Sequence, residues 1–298
     1  MPAPPLMLDV FWRLRRCSVL VTALAVWGGG LSAQGPSDEK PVNELILPGE
    51  SFLIDDSPAF ILWPDKAKRP EPQPWILYAP TLPGLPDQHE KWMHEQFLDA
   101  GVAVAGIDVG EAYGSPAGQS LFTKLFEELT ERRGFGAKPC VLGRSRGGLL
   151  VASWAISHPE KVAGLAGIYP VFDLQSYPGL KRAAPAFGLT AEELSDRLET
   201  LNPASRLRVL AEASVPVCLI HGDVDQVVPL EANSGALVRE YERAGEADLV
   251  TLVVAQGQGH NFWPGFFRCE ELIEFSIKHA KAGAEAASTP DPESQVTD

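Results

Sequence analysis

The sequence predicts a three-layer α/β domain with a mostly parallel sheet. Apolar runs alternate with amphipathic segments along most of the chain, from residue 75 to residue 281. Several of these runs, such as 102–107, carry no polar residue, which is typical of strands covered on both faces. Repeated strand and helix units of this kind form a parallel sheet with helices on both sides.

The individual elements can be predicted from the same pattern. Two short strands at 51–54 and 59–63 are separated by a turn-prone Asp-Asp-Ser-Pro segment. Six further strands are predicted at 75–79, 102–109, 139–143, 162–169, 216–220 and 249–254. Helices are predicted at 88–100, 119–132, 147–158, 231–244 and 267–281.

An insertion at 171–214 interrupts this alternation. It holds one predicted helix, Ala191–Leu201, which starts with a capping box formed by Thr190 and Glu193. We expect this insertion to form a small lid, too small to roof a long acyl tunnel.

Composition and charge exclude several classes of partner. The chain has 298 residues, 45% of them hydrophobic and 21% charged, which suits one globular domain. Its formal net charge is −14. Because an acidic protein repels polyanions, we expect no nucleic-acid partner and no adhesion to an anionic membrane surface. The sequence does not predict an oligomeric state.

The N-terminal segment has the composition of a secretory signal peptide. Arg13, Arg15 and Arg16 precede an uncharged run that closes on Leu-Ser-Ala, which predicts a signal peptide at 1–33. The run is shorter than the roughly 20 residues that span a bilayer, so a cleaved signal is favoured over a membrane anchor. We therefore expect a secreted or periplasmic protein with no membrane span after cleavage.

The rest of the chain divides by composition. We expect a linker at 34–41, one domain at 42–281 and a disordered tail at 282–298. Three cysteines remain after cleavage, Cys140, Cys218 and Cys269, and two of them lie in apolar, strand-like runs. We interpret all three as packing residues rather than as nucleophiles or metal ligands.

The strongest local signal is the segment GRSRGG at 143–148. It matches GxSxG and lies between a predicted strand and a predicted helix. A serine on such a turn is raised above the sheet, and the first N–H groups of the helix point at negative charge that develops there. Ser145 is therefore the candidate nucleophile.

A serine nucleophile needs a base, and the base needs an acid to orient it. The segment HGDVDQVVP at 221–229 follows one predicted strand, and GQGH at 257–260 follows the last one. The order along the chain is therefore serine, aspartate, histidine, each at the carboxyl end of a different strand.

These three segments together resemble the α/β-hydrolase superfamily, in particular domains of the dienelactone hydrolase and prolyl oligopeptidase type. The resemblance covers the chain from about residue 42 to residue 281. It implies that Asp225 is the acid and His260 the base, while Asp223 matches a variable position. Asp173, after the strand that ends at Tyr169, is an alternative acid.

The resemblance also implies an oxyanion hole. One donor is the backbone N–H of Arg146, and the other comes from the segment PTLPG at 80–84. Leu82 is the expected second donor, because Pro83 has no N–H, and Thr81 is the alternative. The segment departs from the His-Gly pattern that is common there.

Arginines on both sides of Ser145 are unusual. One interpretation is that Arg144 and Arg146 pair with nearby carboxylates. The other is that Arg146 binds the oxyanion or an acidic substrate group, as the resemblance of the Ser-Arg pair to glucuronoyl esterases implies. We also name Tyr113 and Trp263 as candidate substrate-binding residues, because their rings can stack on sugar or phenolic rings.

The sequence thus predicts a secreted serine hydrolase that cleaves a small carboxylic ester through an acyl-enzyme, and a carbohydrate-linked ester is one candidate. No cofactor and no metal are expected, since His89 and His94 are five residues apart rather than the four typical of zinc-protease helices. A small serine peptidase related to prolyl oligopeptidase is the alternative, and a non-catalytic binding member of the fold is less favoured.

Overall fold

The computed structural model describes residues 45–81 and 84–285. The predicted signal peptide, the linker, Leu82 and most of the predicted tail lie outside the described residues. Among those that are described, no helix is both long enough and apolar enough to cross a membrane.

In the part of the chain that the structure describes, eight strands form one sheet in the order β1-β2-β4-β3-β5-β6-β7-β8. The strands are β1 Gly49–Ile54, β2 Ser57–Leu62, β3 Trp75–Tyr78, β4 Ala103–Ile107, β5 Cys140–Arg144, β6 Gly164–Ile168, β7 Val217–Gly222 and β8 Val250–Ala255. Strand β2 pairs antiparallel with β1 and β4, and the other neighbours are parallel. The predicted mostly parallel sheet is confirmed.

The described helices are short to medium in length. They are α1 Lys91–Asp99, α2 Pro116–Glu127, α3 Gly147–Ser157, α4 Leu180–Ala183, α5 Ala191–Ser195, α6 Leu198–Leu201, α7 Arg208–Glu212, α8 Ser234–Ala244 and α9 Glu270–Glu285. Helices α2, α3, α7 and α8 contribute to the core on one face of the sheet, and α1 and α9 to the core on the other.

The alternation of side chains along the strands explains the two cores. In β3, Trp75 and Leu77 belong to the core under α2 and α3, whereas Ile76 and Tyr78 belong to the core under α1 and α9. Because successive side chains of a strand point to opposite faces, a fully apolar strand is buried on both.

Several boundaries differ from those expected from the sequence, and three of them change the description of a helix. Helix α2 ends at Glu127 and continues as a wider, π-helical turn, Glu128–Arg132. The single helix expected at 191–201 is two helices, α5 and α6, because Arg197 has the non-helical angles φ −114° and ψ 14°. Helix α9 ends at Glu285, so the first four residues of the expected tail are helical.

Other local predictions are confirmed. The Thr190 side chain accepts a hydrogen bond from Glu193 N–H, and the Glu193 carboxylate accepts one from Thr190 N–H, which forms the capping box of α5. Cys140, Cys218 and Cys269 are free and buried, and burial raises the pKa of the Cys269 thiol to about 11. Such thiols behave as packing residues.

Candidate active site

Ser145 lies on a tight turn between β5 and α3. Its φ is +51°, a left-handed conformation that is rare for a residue with a side chain. The turn is held on the neighbouring strand, since Ser145 N–H donates to Ile168 O at 2.9 Å and Val171 N–H donates to Ser145 O at 2.8 Å. The local strain is therefore compensated by hydrogen bonds on both sides of the residue.

The glycines of the motif are required by close packing. A Cβ on Gly143 would lie 2.8 Å from backbone atoms of Gly147 and Gly148, and a Cβ on Gly148 would lie 2.6 Å from Val171 O. Real Cβ atoms do not approach backbone atoms this closely. The strand, the turn and the first turn of α3 can pack together only because both positions lack a side chain.

Ser145, His260 and Asp225 form a continuous chain of hydrogen bonds. Ser145 Oγ lies 2.9 Å from His260 Nε2, and His260 Nδ1 lies 2.8 Å from Asp225 Oδ2. Because a carboxylate only accepts, Nδ1 carries the proton and Nε2 is free to accept the serine proton. This arrangement can activate a serine for attack on a carbonyl.

The environment of Asp225 keeps its carboxylate charged. Asp225 Oδ1 accepts hydrogen bonds from Val227 N–H and Val228 N–H, both at 2.9 Å. Burial by itself would raise the pKa of Asp225, but hydrogen bonds from His221, His260 and Val228 outweigh it and hold the pKa well below its usual range. The negative charge that orients His260 therefore persists at neutral pH.

His221 braces the Asp225 loop. Its Nε2 donates to Val228 O at 2.8 Å and lies 3.5 Å from Asp225 Oδ2. Its Nδ1 then accepts from the Ser234 hydroxyl at 2.8 Å. The ring links the loop to the start of α8.

Asp173 has a different set of partners. Its carboxylate accepts hydrogen bonds from Gln175 N–H, from Ser176 N–H and from the Asn202 side chain, at 3.0, 3.0 and 2.8 Å. These contacts hold the start of the insertion, and none of them involves His260. The structure thus brings Asp225, rather than Asp173, to the histidine.

The candidate oxyanion donors lie around the turn. Arg146 precedes α3, where the first N–H groups have no acceptor within the helix. Thr81 is buried, and its methyl group lies 3.8 Å from the position of a Cβ on Gly147. Leu82, the expected second donor, lies outside the described residues. Thr81, the alternative donor, lies beside the turn.

Both arginines beside Ser145 pair with carboxylates. Arg146 is hydrogen bonded to Glu111, and its guanidinium lies 5.8 Å from the centre of the Tyr177 ring in the insertion. Arg144 Nη1 lies 2.9 Å from Glu90 and 3.1 Å from Asp87. The carboxylate-pairing interpretation is confirmed, and substrate binding by Arg146 stays a prediction.

The two aromatic candidates lie in different surroundings. Trp263 is 41% exposed and makes an edge contact with Phe266, with 5.4 Å between ring centres. Tyr113 is only 6% exposed and belongs to an apolar cluster with Leu149 and residues of the insertion. Packing under the insertion therefore leaves the Tyr113 ring little surface for a substrate, contrary to our expectation.

Several residues that contact the candidate site were not expected from the sequence. Tyr169 directly follows β6, and its ring centre lies 4.3 Å from that of His260. Burial raises the pKa of Tyr169 to about 12, so its hydroxyl stays neutral. Glu111 and Glu90 are the partners of the two arginines. The position of Tyr169 at the end of a predicted strand could have indicated that it lies near the site. No feature of the sequence indicates that Glu111 and Glu90 do.

A comparison with family models decides which family this site belongs to. The Peptidase_S9 model, described as the prolyl oligopeptidase family, matches residues 122–275, more than half of the chain, and the matched range contains Ser145, Asp225 and His260. The chain belongs to the prolyl oligopeptidase family. It is a serine hydrolase of the α/β-hydrolase superfamily. No curated protein matches it in sequence.

Solved structures agree with this fold. Est1E from Butyrivibrio proteoclasticus is 19% identical, with a TM-score of 0.59 over 78% of this chain and 99% of Est1E. TT1662 from Thermus thermophilus is 14% identical, with a TM-score of 0.58 over 81% of this chain and 99% of TT1662. Oligopeptidase B from Leishmania major is 17% identical, with a TM-score of 0.55 over 78% of this chain. The match spans 37% of the oligopeptidase.

Proposed function

We propose that this member of the prolyl oligopeptidase family is an esterase that cleaves a small carboxylic ester by acyl transfer. The observation that carries the proposal is the hydrogen-bond chain from Ser145 through His260 to Asp225, with distances of 2.9 and 2.8 Å. Serine hydrolases use this arrangement to make a neutral hydroxyl nucleophilic.

In the proposed reaction, Ser145 Oγ attacks the ester carbonyl while His260 Nε2 takes its proton. The N–H of Arg146 and that of Thr81 or Leu82 stabilise the oxyanion. His260 then returns the proton to the leaving alcohol, which leaves an acyl group on Ser145. A water molecule, deprotonated by His260, releases the acid and regenerates the serine.

Two features support a small ester as the substrate. Apart from α7, which packs in the core, the described helices of the insertion are only the short α4, α5 and α6, which suits a small substrate better than a long acyl chain. Trp263 offers an exposed ring to a sugar or phenolic group, and Arg146 offers donors to an acid. A peptidase is the second candidate, because the family is named after prolyl oligopeptidase and solved peptidases share the fold.

The test combines a probe with a substrate panel. A fluorophosphonate should label the wild type and fail to label Ser145→Ala, and His260→Ala should be labelled far more slowly. Aryl esters of increasing acyl length, uronate methyl esters and peptide anilides are then compared by kcat/KM. Higher kcat/KM for peptide anilides than for every ester would favour the peptidase, and a labelled Ser145→Ala would remove Ser145 from its role.

We also propose that the enzyme is exported. The support is the basic segment and uncharged run at 1–33, since a signal peptide has this composition. N-terminal sequencing of protein released from the expressing cells should start at Gln34. A start at Met1 or Pro2 in soluble, fully folded enzyme would contradict cleavage.

A further inference from the structure

Arg144, which directly precedes Ser145, is a charged side chain in a largely buried place. Only 11% of the side chain is exposed. Its Nη1 lies 2.9 Å from Glu90 Oε2 and 3.1 Å from Asp87 Oδ2. Burying a cation is costly and is not an efficient way to gain stability. The residue therefore calls for an explanation beyond fold stability.

Glu90 connects this arginine to the segment that carries a candidate oxyanion donor. The fully buried carboxylate accepts a hydrogen bond from the Tyr78 hydroxyl at 2.9 Å and one from Asp87 N–H at 3.2 Å. Tyr78 ends β3, and Asp87 lies six residues after Thr81. Both ends of the segment 79–86 are thus tied to one carboxylate, and that carboxylate is tied to Arg144.

The same guanidinium also faces the loop that carries the histidine. It lies 5.2 Å from the centre of the Phe262 ring and 5.3 Å from that of Phe267. Both distances are within the range of cation–π contacts. The Arg144 side chain therefore contacts residues that follow Thr81 in the chain and residues that follow His260. Arg144 is also the direct neighbour of Ser145 in the sequence.

We propose that Arg144 is a positioning residue. Through Glu90 it fixes the described residues on either side of Thr81, and through its two ring contacts it fixes the His260 loop relative to Ser145. The proposal rests on the proposed role of Ser145 as nucleophile, but not on whether the substrate is an ester or a peptide. Oxyanion donors must lie about 2.7–3.1 Å from the oxyanion, and a displacement of about 1 Å can cost roughly a hundredfold in rate.

The test must separate positioning from folding, because removing Arg144 alone leaves Glu90 buried without its partner. The double variant Arg144→Met with Glu90→Gln removes both charges and keeps an acceptor for Tyr78. The matched control is Arg208→Met with Glu212→Gln, which removes an exposed ion pair of α7. Arg144→Lys keeps the charge and serves as the conservative rescue.

Each variant is measured for thermal unfolding, for the second-order rate of fluorophosphonate labelling, and for kcat and KM. We expect the double variant to be folded at the assay temperature, with labelling and kcat lowered about tenfold or more at an unchanged KM. Arg144→Lys should recover part of this loss, and the control should match the wild type.

The outcomes separate the two proposals. A folded double variant that is labelled within about twofold of the control overturns the positioning role and leaves the nucleophile intact. If the double variant does not fold, Arg144→Gln decides, because it keeps a side-chain donor for Glu90 but removes the charge, and a wild-type labelling rate in that variant also overturns the role. A wild type that no fluorophosphonate labels removes the Ser145 nucleophile, and the positioning role falls with it.

Discussion

At the scale of single residues, two carboxylates were open as partners of His260, and their contacts differ. Asp225 Oδ2 lies 2.8 Å from His260 Nδ1, whereas Asp173 is hydrogen bonded to Gln175, Ser176 and Asn202. An acid orients its histidine only through a direct contact. The geometry favours Asp225.

Asp225→Asn should lower kcat/KM by several orders of magnitude, because an amide at this position favours the wrong tautomer of His260. Asp173→Asn should leave kcat/KM within about tenfold of the wild type, since it changes only hydrogen bonds at the start of the insertion. Steady-state kinetics of both variants, with circular dichroism to verify folding, gives the comparison. The reverse ranking would transfer the acid role to Asp173.

Arg146 is the second residue whose role kinetics can decide. Arg146→Ala keeps the backbone donor and removes the guanidinium. If the side chain binds an acidic group, the loss of a charge-assisted hydrogen bond raises the barrier by about 1.5–3 kcal/mol, roughly tenfold to a hundredfold in rate. We expect kcat/KM to fall by this amount for uronate methyl esters and by less for acetyl esters.

The matched control for Arg146→Ala is Glu111→Gln, which keeps the guanidinium and removes its carboxylate partner. It should not reproduce the preference for one ester class. Equal and small effects of Arg146→Ala on both classes would mean that the Arg146–Glu111 pair only supports the scaffold.

At the scale of elements, the turn between β5 and α3 depends on glycines. Gly148→Ala would bring a Cβ to 2.6 Å from Val171 O and 2.7 Å from Pro170 Cβ, so backbone must shift. We expect a loss of about 1–3 kcal/mol in the free energy of unfolding and a lower kcat, because the shift moves the turn that carries Ser145. Chemical denaturation and kinetics measure both effects.

Gly259→Ala is the control for this prediction. Gly259 also lies beside a candidate catalytic residue, but a Cβ there meets only Val224 O, at an ordinary 3.7 Å. Its free energy of unfolding should stay within about 1 kcal/mol of the wild type. Equal destabilisation by the two substitutions would contradict the packing argument.

At the scale of the whole molecule, the buried His94 should make stability depend on pH. Neither ring nitrogen has a hydrogen-bond partner among the described residues, and burial lowers the pKa of His94 to about 3. Between pH 6.5 and pH 3 the unfolded chain binds a proton that the folded protein does not. The contribution of this residue to the free energy of unfolding therefore decreases as the pH is lowered through this window, by about 1.4 kcal/mol per pH unit.

His94→Leu should remove this contribution. Compared with the wild type, the variant should gain stability as the pH is lowered from 8 to 5, as measured by urea denaturation at both values. Phe97→Leu, in the same helix and the same core, is the control, and its difference from the wild type should be equal at both pH values. If the free energy of unfolding of His94→Leu also differed from that of the wild type by the same amount at both pH values, His94 would not be buried in its neutral form.

The sequence predicted the fold class, the eight strands and the segments that carry Ser145, Asp225 and His260. Two kinds of local signal made this possible. Apolar periodicity identifies buried strands and helices, and glycines beside a serine mark a turn that no larger residue can form. The order of the strands explains why the three segments meet, because the carboxyl ends of adjacent parallel strands lie at one edge of the sheet.

The partners of single side chains were decided by the tertiary structure. Arg144 pairs with Asp87 and Glu90, more than fifty residues earlier in the chain, and Arg146 pairs with Glu111. Tyr113 is covered by the insertion rather than open to the site. Periodicity and local motifs depend on neighbours in sequence, whereas these contacts depend on how separate loops pack at one end of the sheet, which no local pattern encodes.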